Sequence, residues 1–137
     1  FDYTHVFKGS HYIKNFIKSV YQQGFRASVL DKSIATYLEL ANEMIERGYE
    51  FEKVDLYKSH PTKFLITEKG LRPPLASLAG VGNNAALSIA EARDVNNPFI
   101  SREDLRQRAG IGKAVIERLA DVGVLDDLPE SNQIDLF

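Results

Sequence analysis

Two short segments hold the residues with the clearest chemical potential: Gly80-Val81-Gly82-Asn83-Asn84 and Gly110-Ile111-Gly112-Lys113. Each opens with an apolar residue held between two glycines. Glycine reaches backbone angles closed to other residues, and without a side chain it lets a ligand approach the main chain closely. The apolar residue, Val81 or Ile111, is suited to plug the turn into the space between flanking helices. Beyond the second glycine the pattern predicts a helix N-terminus. Unpaired N–H groups and the positive end of the helix dipole favour an anion there. Lys113 adds a charge where such an anion would sit, whereas Asn83 and Asn84 add none. The chemistry implied is anion binding through placed amides.

The elements that must position these turns repeat along the chain. Residues 75–93 and 105–123 each read as a short apolar helix, a Gly-apolar-Gly turn and a longer amphipathic helix. Leu87, Ile89 and Ala90 carry the apolar face of the first long helix; Val115, Ile116 and Leu119 carry that of the second. One Gly-x-Gly alone is an ordinary tight turn in a helical bundle. Two copies in matching context favour phosphate binding. Amides of this kind read a nucleic-acid backbone and not its bases, so binding is expected to be largely independent of sequence.

This pattern resembles the helix-hairpin-helix family of DNA-binding motifs, whose signature is a Gly-apolar-Gly turn between two helices. The resemblance implies that both turns contact phosphates of duplex DNA, one on each strand across a minor groove. The first copy departs from it, because Asn83-Asn84 stands where a basic residue is common.

Ahead of the repeat, Tyr12, Ile13, Phe16, Ile17, Val20 and Tyr21 follow helical spacing between Ser10, read as an N-cap, and Gly24. A second helix is expected over about 31–47, with Ile34, Leu38, Ala41 and Ile45 on one face and Arg47-Gly48 closing it. Lys14 and Lys18 are four residues apart and share a helix face. Residues 54–59 and 63–67 are β-rich runs, read as a small hairpin. The fold class expected is mainly α with a small β-hairpin. A helical segment (1–53) precedes a connector (54–70), a tandem helix-hairpin-helix, SAM-like module (71–128) and a mobile tail (129–137).

The totals set bounds. The chain has 137 residues, 44% hydrophobic and 26% charged, which suits a folded protein with one modest core or two small lobes. Net charge is −2, which argues against binding nucleic acid through bulk charge, so part of any grip on DNA has to come from placed backbone amides. With no cysteine, disulfides, thiolate metal sites and cysteine nucleophiles are excluded, which suits a reducing, cytoplasmic setting. No apolar run approaches a membrane span. A chain beginning at Phe1 reads as a piece of a longer protein.

The terminal residues Gln133-Ile134-Asp135-Leu136-Phe137 place two adjacent apolar side chains after a polar stretch. Such a pair either folds back or anchors in a partner's pocket. The spacing is similar to the peptide with which bacterial replication proteins bind the sliding clamp. That resemblance implies a polar subsite for Gln133 and a hydrophobic cleft for Leu136 and Phe137.

Taken in order, the basic helical segment, Asp55-Leu56-Tyr57-Lys58-Ser59, Arg72-Pro73-Pro74-Leu75, the paired turns and the Gln-x-x-Leu-Phe end resemble a polymerase family. The segment they resemble is the C-terminal end of the PolC type of bacterial DNA polymerase III α subunit. This implies that residues 1–53 belong to the fingers and the remainder to duplex binding and clamp attachment. It also implies that nucleotidyl transfer, exonuclease activity and Mg²⁺ belong to the rest of the polymerase. Two-metal chemistry needs clustered carboxylates, and here Asp55 is isolated while Asp126-Asp127 reads as a solvated loop. No catalytic residue, metal site or cofactor is therefore assigned to this chain. His5, His11 and His60 lack metal-ligand spacing and read as surface residues. Lys8, Lys14, Lys18 and Arg26 lie among Tyr3, Phe7, Tyr12, Phe16, Tyr21 and Phe25. That mixture suits either a single-strand template surface or a core helix with a solvated basic face. Competing readings are the hairpin domain of a DNA-repair protein and a protein-interaction module.

Overall fold

The computed structural model describes residues 4–131. A 3₁₀ turn, Thr4–Lys8, leads into α1 (Ser10–Gln23). Gly9, and not Ser10, holds the cap position of α1, with φ 96°, a conformation that glycine adopts without steric cost. Ser10 is the first helical residue, and no side chain caps the helix. Gly24 ends α1 at φ 56°, its amide returning to the Tyr21 and Val20 carbonyls. The next helix, α2 (Val29–Glu46), starts two residues before the expected 31, because Ser28 caps it by accepting from the Asp31 amide at 3.0 Å.

Helical spacing brings α1 and α2 together over Ile13, Ile34, Leu38 and Ala41, with Tyr12 and Phe16 packed alongside. The Tyr21 hydroxyl donates to the Glu39 carboxylate, and Lys14 pairs with Glu46 at 3.6 Å, both across the exposed rim of this contact.

A three-stranded sheet joins the two parts: β1 (Glu50–Phe51), β2 (Leu65–Ile66) and β3 (Gly70–Arg72) in the order β1-β3-β2. Strand β1 runs parallel to β3, and β2 antiparallel to it. This corrects the hairpin expected from residues 54–59 and 63–67. The second run supplies β2, but its partner is β3, through a turn in which Thr67 N–H donates to the Gly70 carbonyl at 2.8 Å. A Cβ on Gly70 would collide with the Glu50 carbonyl, so only glycine permits so close an approach of β3 to β1.

Residues 54–59 form no strand. The Asp55 carboxylate accepts from the Tyr57 and Lys58 amides, both at 2.9 Å. Ser59 Oγ accepts from the Asp55 amide at 2.8 Å, and the Ser59 amide returns to the Asp55 carbonyl at 3.1 Å. The segment satisfies its own backbone and has no need of a partner strand. Val54 and Leu56 face inward and join the core of the repeat, so this stretch is part of that module and not a separate connector.

The repeat itself comprises a 3₁₀ turn (Leu75–Ser77), α3 (Asn83–Ala92), α4 (Arg102–Ala109) and α5 (Lys113–Asp121). The first copy therefore opens on a single 3₁₀ turn and not on an α-helix. The second opens on α4, which is mostly charged and buries only Leu105 and Ala109. Leu87 is exposed, and Ala86 takes the inward position beside Ile89. The start of the expected tail is also held. Pro129 and Glu130 carbonyls accept from the Arg102 and Glu103 amides at 2.8 and 3.1 Å, supplying acceptors that the first turn of α4 lacks. No described helix is long and apolar enough to cross a membrane.

Candidate functional site

The two glycine turns adopt the same backbone course. Gly80 and Gly110 have φ 81° and 66°. Gly82 and Gly112 lie at φ/ψ −73°/168° and −77°/162° and cap α3 and α5. Only the first glycine of each pair requires a positive φ. The second has angles open to any residue, and its value is space: a Cβ on Gly82 or Gly112 would meet nothing within 4 Å. Between them Val81 and Ile111 are 3% and 7% exposed, so each turn is plugged into the core.

The helix N-termini differ in how their amides are used. Those of α2 and α4 are capped by Ser28 and Ser101, whose Oγ atoms accept from Asp31 and Asp104 amides at 3.0 and 2.9 Å. In α3 and α5 no side chain caps the helix and no acid lies in the first turn. Lys113 is exposed at the start of α5, and α3 holds no basic residue. Two glycine-capped N-termini, exposed to solvent and with no acid in their first turns, are thus built on one core.

A family model for the helix-hairpin-helix motif matches residues 48–134. The chain belongs to the helix-hairpin-helix family. Its whole length is also similar to PolC-type DNA polymerase III. It is 49% identical to that of Bacillus cereus over all 137 residues and 44% identical to that of Bacillus subtilis. With the Caldanaerobacter subterraneus protein it shares 52% over 132 residues, 96% of the chain. The chain spans about 10% of the length of these relatives.

Two arginines that the motif reading did not single out hold the helix-hairpin-helix pair in place. Arg93, at the end of α3, donates through Nη1 to the Leu56 and Ser59 carbonyls at 3.2 and 2.6 Å. Burial pushes its pKa below the ordinary arginine value, and the Asp55 carboxylate opposes that shift. Arg108 reaches from α4 to the loop between the hairpins. It meets the Asn97 carbonyl at 2.8 Å and Asp104 at 3.2 Å, and lies 4.5 Å from the Phe99 ring centre. The Tyr57 hydroxyl accepts from the Phe99 amide at 2.7 Å, tying that loop to the 54–59 turn. The signal for Arg93 and Arg108 is faint in sequence: each is a basic residue in the last turn of a helix or just past it.

The remaining site residues separate from this core. Lys14 and Lys18 are exposed on α1, which packs in the other hydrophobic cluster, and Lys14 already faces Glu46. The aromatic residues around them divide: Tyr12 and Phe16 pack into the core, whereas Tyr21 and Phe25 are exposed. Residues Gln133, Ile134, Asp135, Leu136 and Phe137 lie outside the described residues, as does Tyr3. Each histidine has a local partner: His5 with Tyr12, His11 with Asn15, and His60 Nδ1 accepting from the Thr62 and Lys63 amides. Among the described residues no group of three or more His, Asp or Glu is placed to hold a metal ion.

Proposed function

We propose that the two hairpins bind the phosphate backbone of duplex DNA without regard to sequence, as part of a PolC-type replicative polymerase. One observation carries the reading: two uncapped helix N-termini, α3 and α5, each follow a Gly-apolar-Gly turn of matching geometry on a single core. Each turn offers backbone N–H donors and dipole charge to a phosphate, and Gly82 and Gly112 leave the space a phosphate needs. Such groups fix a protein on DNA but carry no base information. A net charge of −2 is compatible with this, since the donors are amides and a few placed cations.

Polymerisation and exonuclease chemistry, with its Mg²⁺, are assigned to parts of the polymerase beyond these residues. Asp55 caps its own turn, its Oδ1 accepting from the Tyr57 and Lys58 amides, and among the described residues no group of three or more His, Asp or Glu is gathered to hold a metal ion. Residues 133–137 are assigned to the sliding clamp, on the Gln-x-x-Leu-Phe spacing. Together the two attachments serve processivity. The hairpins hold the new duplex, and the peptide keeps the enzyme on the clamp.

The test is a titration of the full chain against labelled duplexes of unrelated sequence, at several salt concentrations. Affinity is expected to be equal across sequences and to fall linearly in log–log form as salt rises. Affinity indifferent to salt, or confined to one sequence, overturns the reading. Binding to protein partners alone would assign the chain to the interaction-module class.

A further inference from the structure

The two hairpins are matched at a constant offset of 30 residues, which relates Gly80 to Gly110, Gly82 to Gly112 and Ile89 to Leu119. At that offset Lys113 corresponds to Asn83, and Arg118 to Ser88. All basic charge on the two long helices therefore sits on α5, and α3 has only Glu91 as a charged residue. Considered alone, the glycine turn of the first hairpin has amides and no cation, since Arg93, beyond the far end of α3, is taken up by the Leu56 and Ser59 carbonyls.

The structure brings one to it. The aliphatic stem of Arg118 lies against Gly80, so that a Cβ there would come within 2.8 Å of Arg118 Cγ and 3.2 Å of Cδ and Nε. The contact runs one way, because a Cβ on Gly110 would meet nothing within 4 Å. The Arg118 side chain is 61% exposed, and its ion pair with Asp121 is long, at 4.0 Å between groups that are both in solvent. A pair of that kind holds a guanidinium only weakly. The stem is fixed by packing while the charged head stays available.

We propose that Arg118 is the phosphate-binding cation of the first hairpin, supplied across the pair by the second. Helix α5 then serves both turns: Lys113 at its own N-terminus and Arg118 one and a half turns later at the neighbour's. This rests on the reading of the hairpins as duplex-binding. It also gives Gly80 a second reason to be glycine, since any side chain there displaces the arginine stem.

Salt titration of duplex binding by the full chain tests this, comparing wild type with Arg118→Gln, Arg118→Lys, and Arg118→Gln combined with Asn83→Lys. Glutamine keeps the stem on Gly80 and removes only the charge, and unchanged thermal unfolding checks that the fold is intact. For Arg118→Gln the slope of log affinity against log salt is expected to shrink by about 0.9, one phosphate contact. Arg118→Lys is expected to keep the wild-type slope. Adding Asn83→Lys is expected to restore it, because the charge returns to the same turn. A wild-type slope in Arg118→Gln overturns this assignment while leaving the hairpin reading standing. A wild-type chain that shows no salt-dependent duplex binding overturns both.

Discussion

Arg93 Nη1 donates to the Ser59 carbonyl at 2.6 Å, joining residues 34 apart in sequence. The same nitrogen reaches the Leu56 carbonyl, so one guanidinium at the end of α3 closes the 54–59 turn onto the hairpin core. Ser59 is fully buried, and its carbonyl has little access to water without the arginine. Arg93→Met keeps the stem and removes the donors. A hydrogen bond from a charged group is worth about 1.5–3 kcal/mol, so a loss of about 2 kcal/mol is expected. For a chain of this size that lowers Tm by roughly 5–10 °C, measured by thermal unfolding. An unchanged Tm would show that the turn closes without Arg93.

The four turn glycines are expected to separate stability from binding. Alanine at Gly110 has to adopt φ near 66°, a cost of about 1–2 kcal/mol. Alanine at Gly80 carries that cost at φ 81° and also meets Arg118, so Gly80→Ala is the more destabilising of the two. Gly82→Ala and Gly112→Ala place a methyl in open space at unstrained angles, and unfolding free energies within about 0.5 kcal/mol of wild type are expected. Duplex affinity should fall in these two even so, because the methyl stands where the phosphate approaches. Urea unfolding and duplex titration of all four variants check the ordering. Wild-type affinity in both Gly82→Ala and Gly112→Ala would remove the turns from the interface.

What the sequence discloses here is local. The glycine turns, the plugs Val81 and Ile111, and the helices α1, α2, α3 and α5 follow from spacing within a few residues. The 54–59 run misleads because Leu56 and Tyr57 favour strands, while the Asp55 and Ser59 side chains satisfy the backbone that a strand would pair. Leu87 sits on the helical stripe by residue type yet faces solvent, since the small Ala86 is what the close packing of α3 admits. The parallel pairing of β1 with β3 and the hold of residues 129–130 on α4 depend on partners 20 or more residues away, to which no short motif points. Arg118 is the same kind of case: its role depends on a contact with Gly80 across the repeat.

Arg108 fixes the loop that separates the hairpins, through the Asn97 carbonyl, Asp104 and the face of Phe99. Arg108→Ala removes all three contacts and should cost about 2–3 kcal/mol, read by urea unfolding. Arg108→Lys retains a charge but not the planar fork that meets a carbonyl, a carboxylate and a ring together, so only partial recovery is expected. Full recovery with lysine would mean that charge alone positions the loop.

The clamp assignment makes a prediction about geometry as well as affinity. Glu130 is pinned to the first turn of α4, and only Ser131 and Asn132 separate it from Gln133. Three residue steps span at most roughly 10 Å, so a clamp holding Gln133 has to lie close to the second hairpin. A tether this short gives a high effective concentration of duplex at the hairpins once the clamp is engaged, and neither contact alone has to be tight. Leu136→Ala with Phe137→Ala is expected to abolish clamp capture and to leave duplex affinity on DNA without a clamp unchanged. Inserting about ten Gly/Ser residues between Ser131 and Asn132 should keep clamp capture but weaken retention on clamp-loaded duplex, because a longer tether dilutes the hairpins' local concentration. Clamp capture that survives the double alanine substitution would sink the assignment. Retention unaffected by the insertion would show that the two contacts act independently.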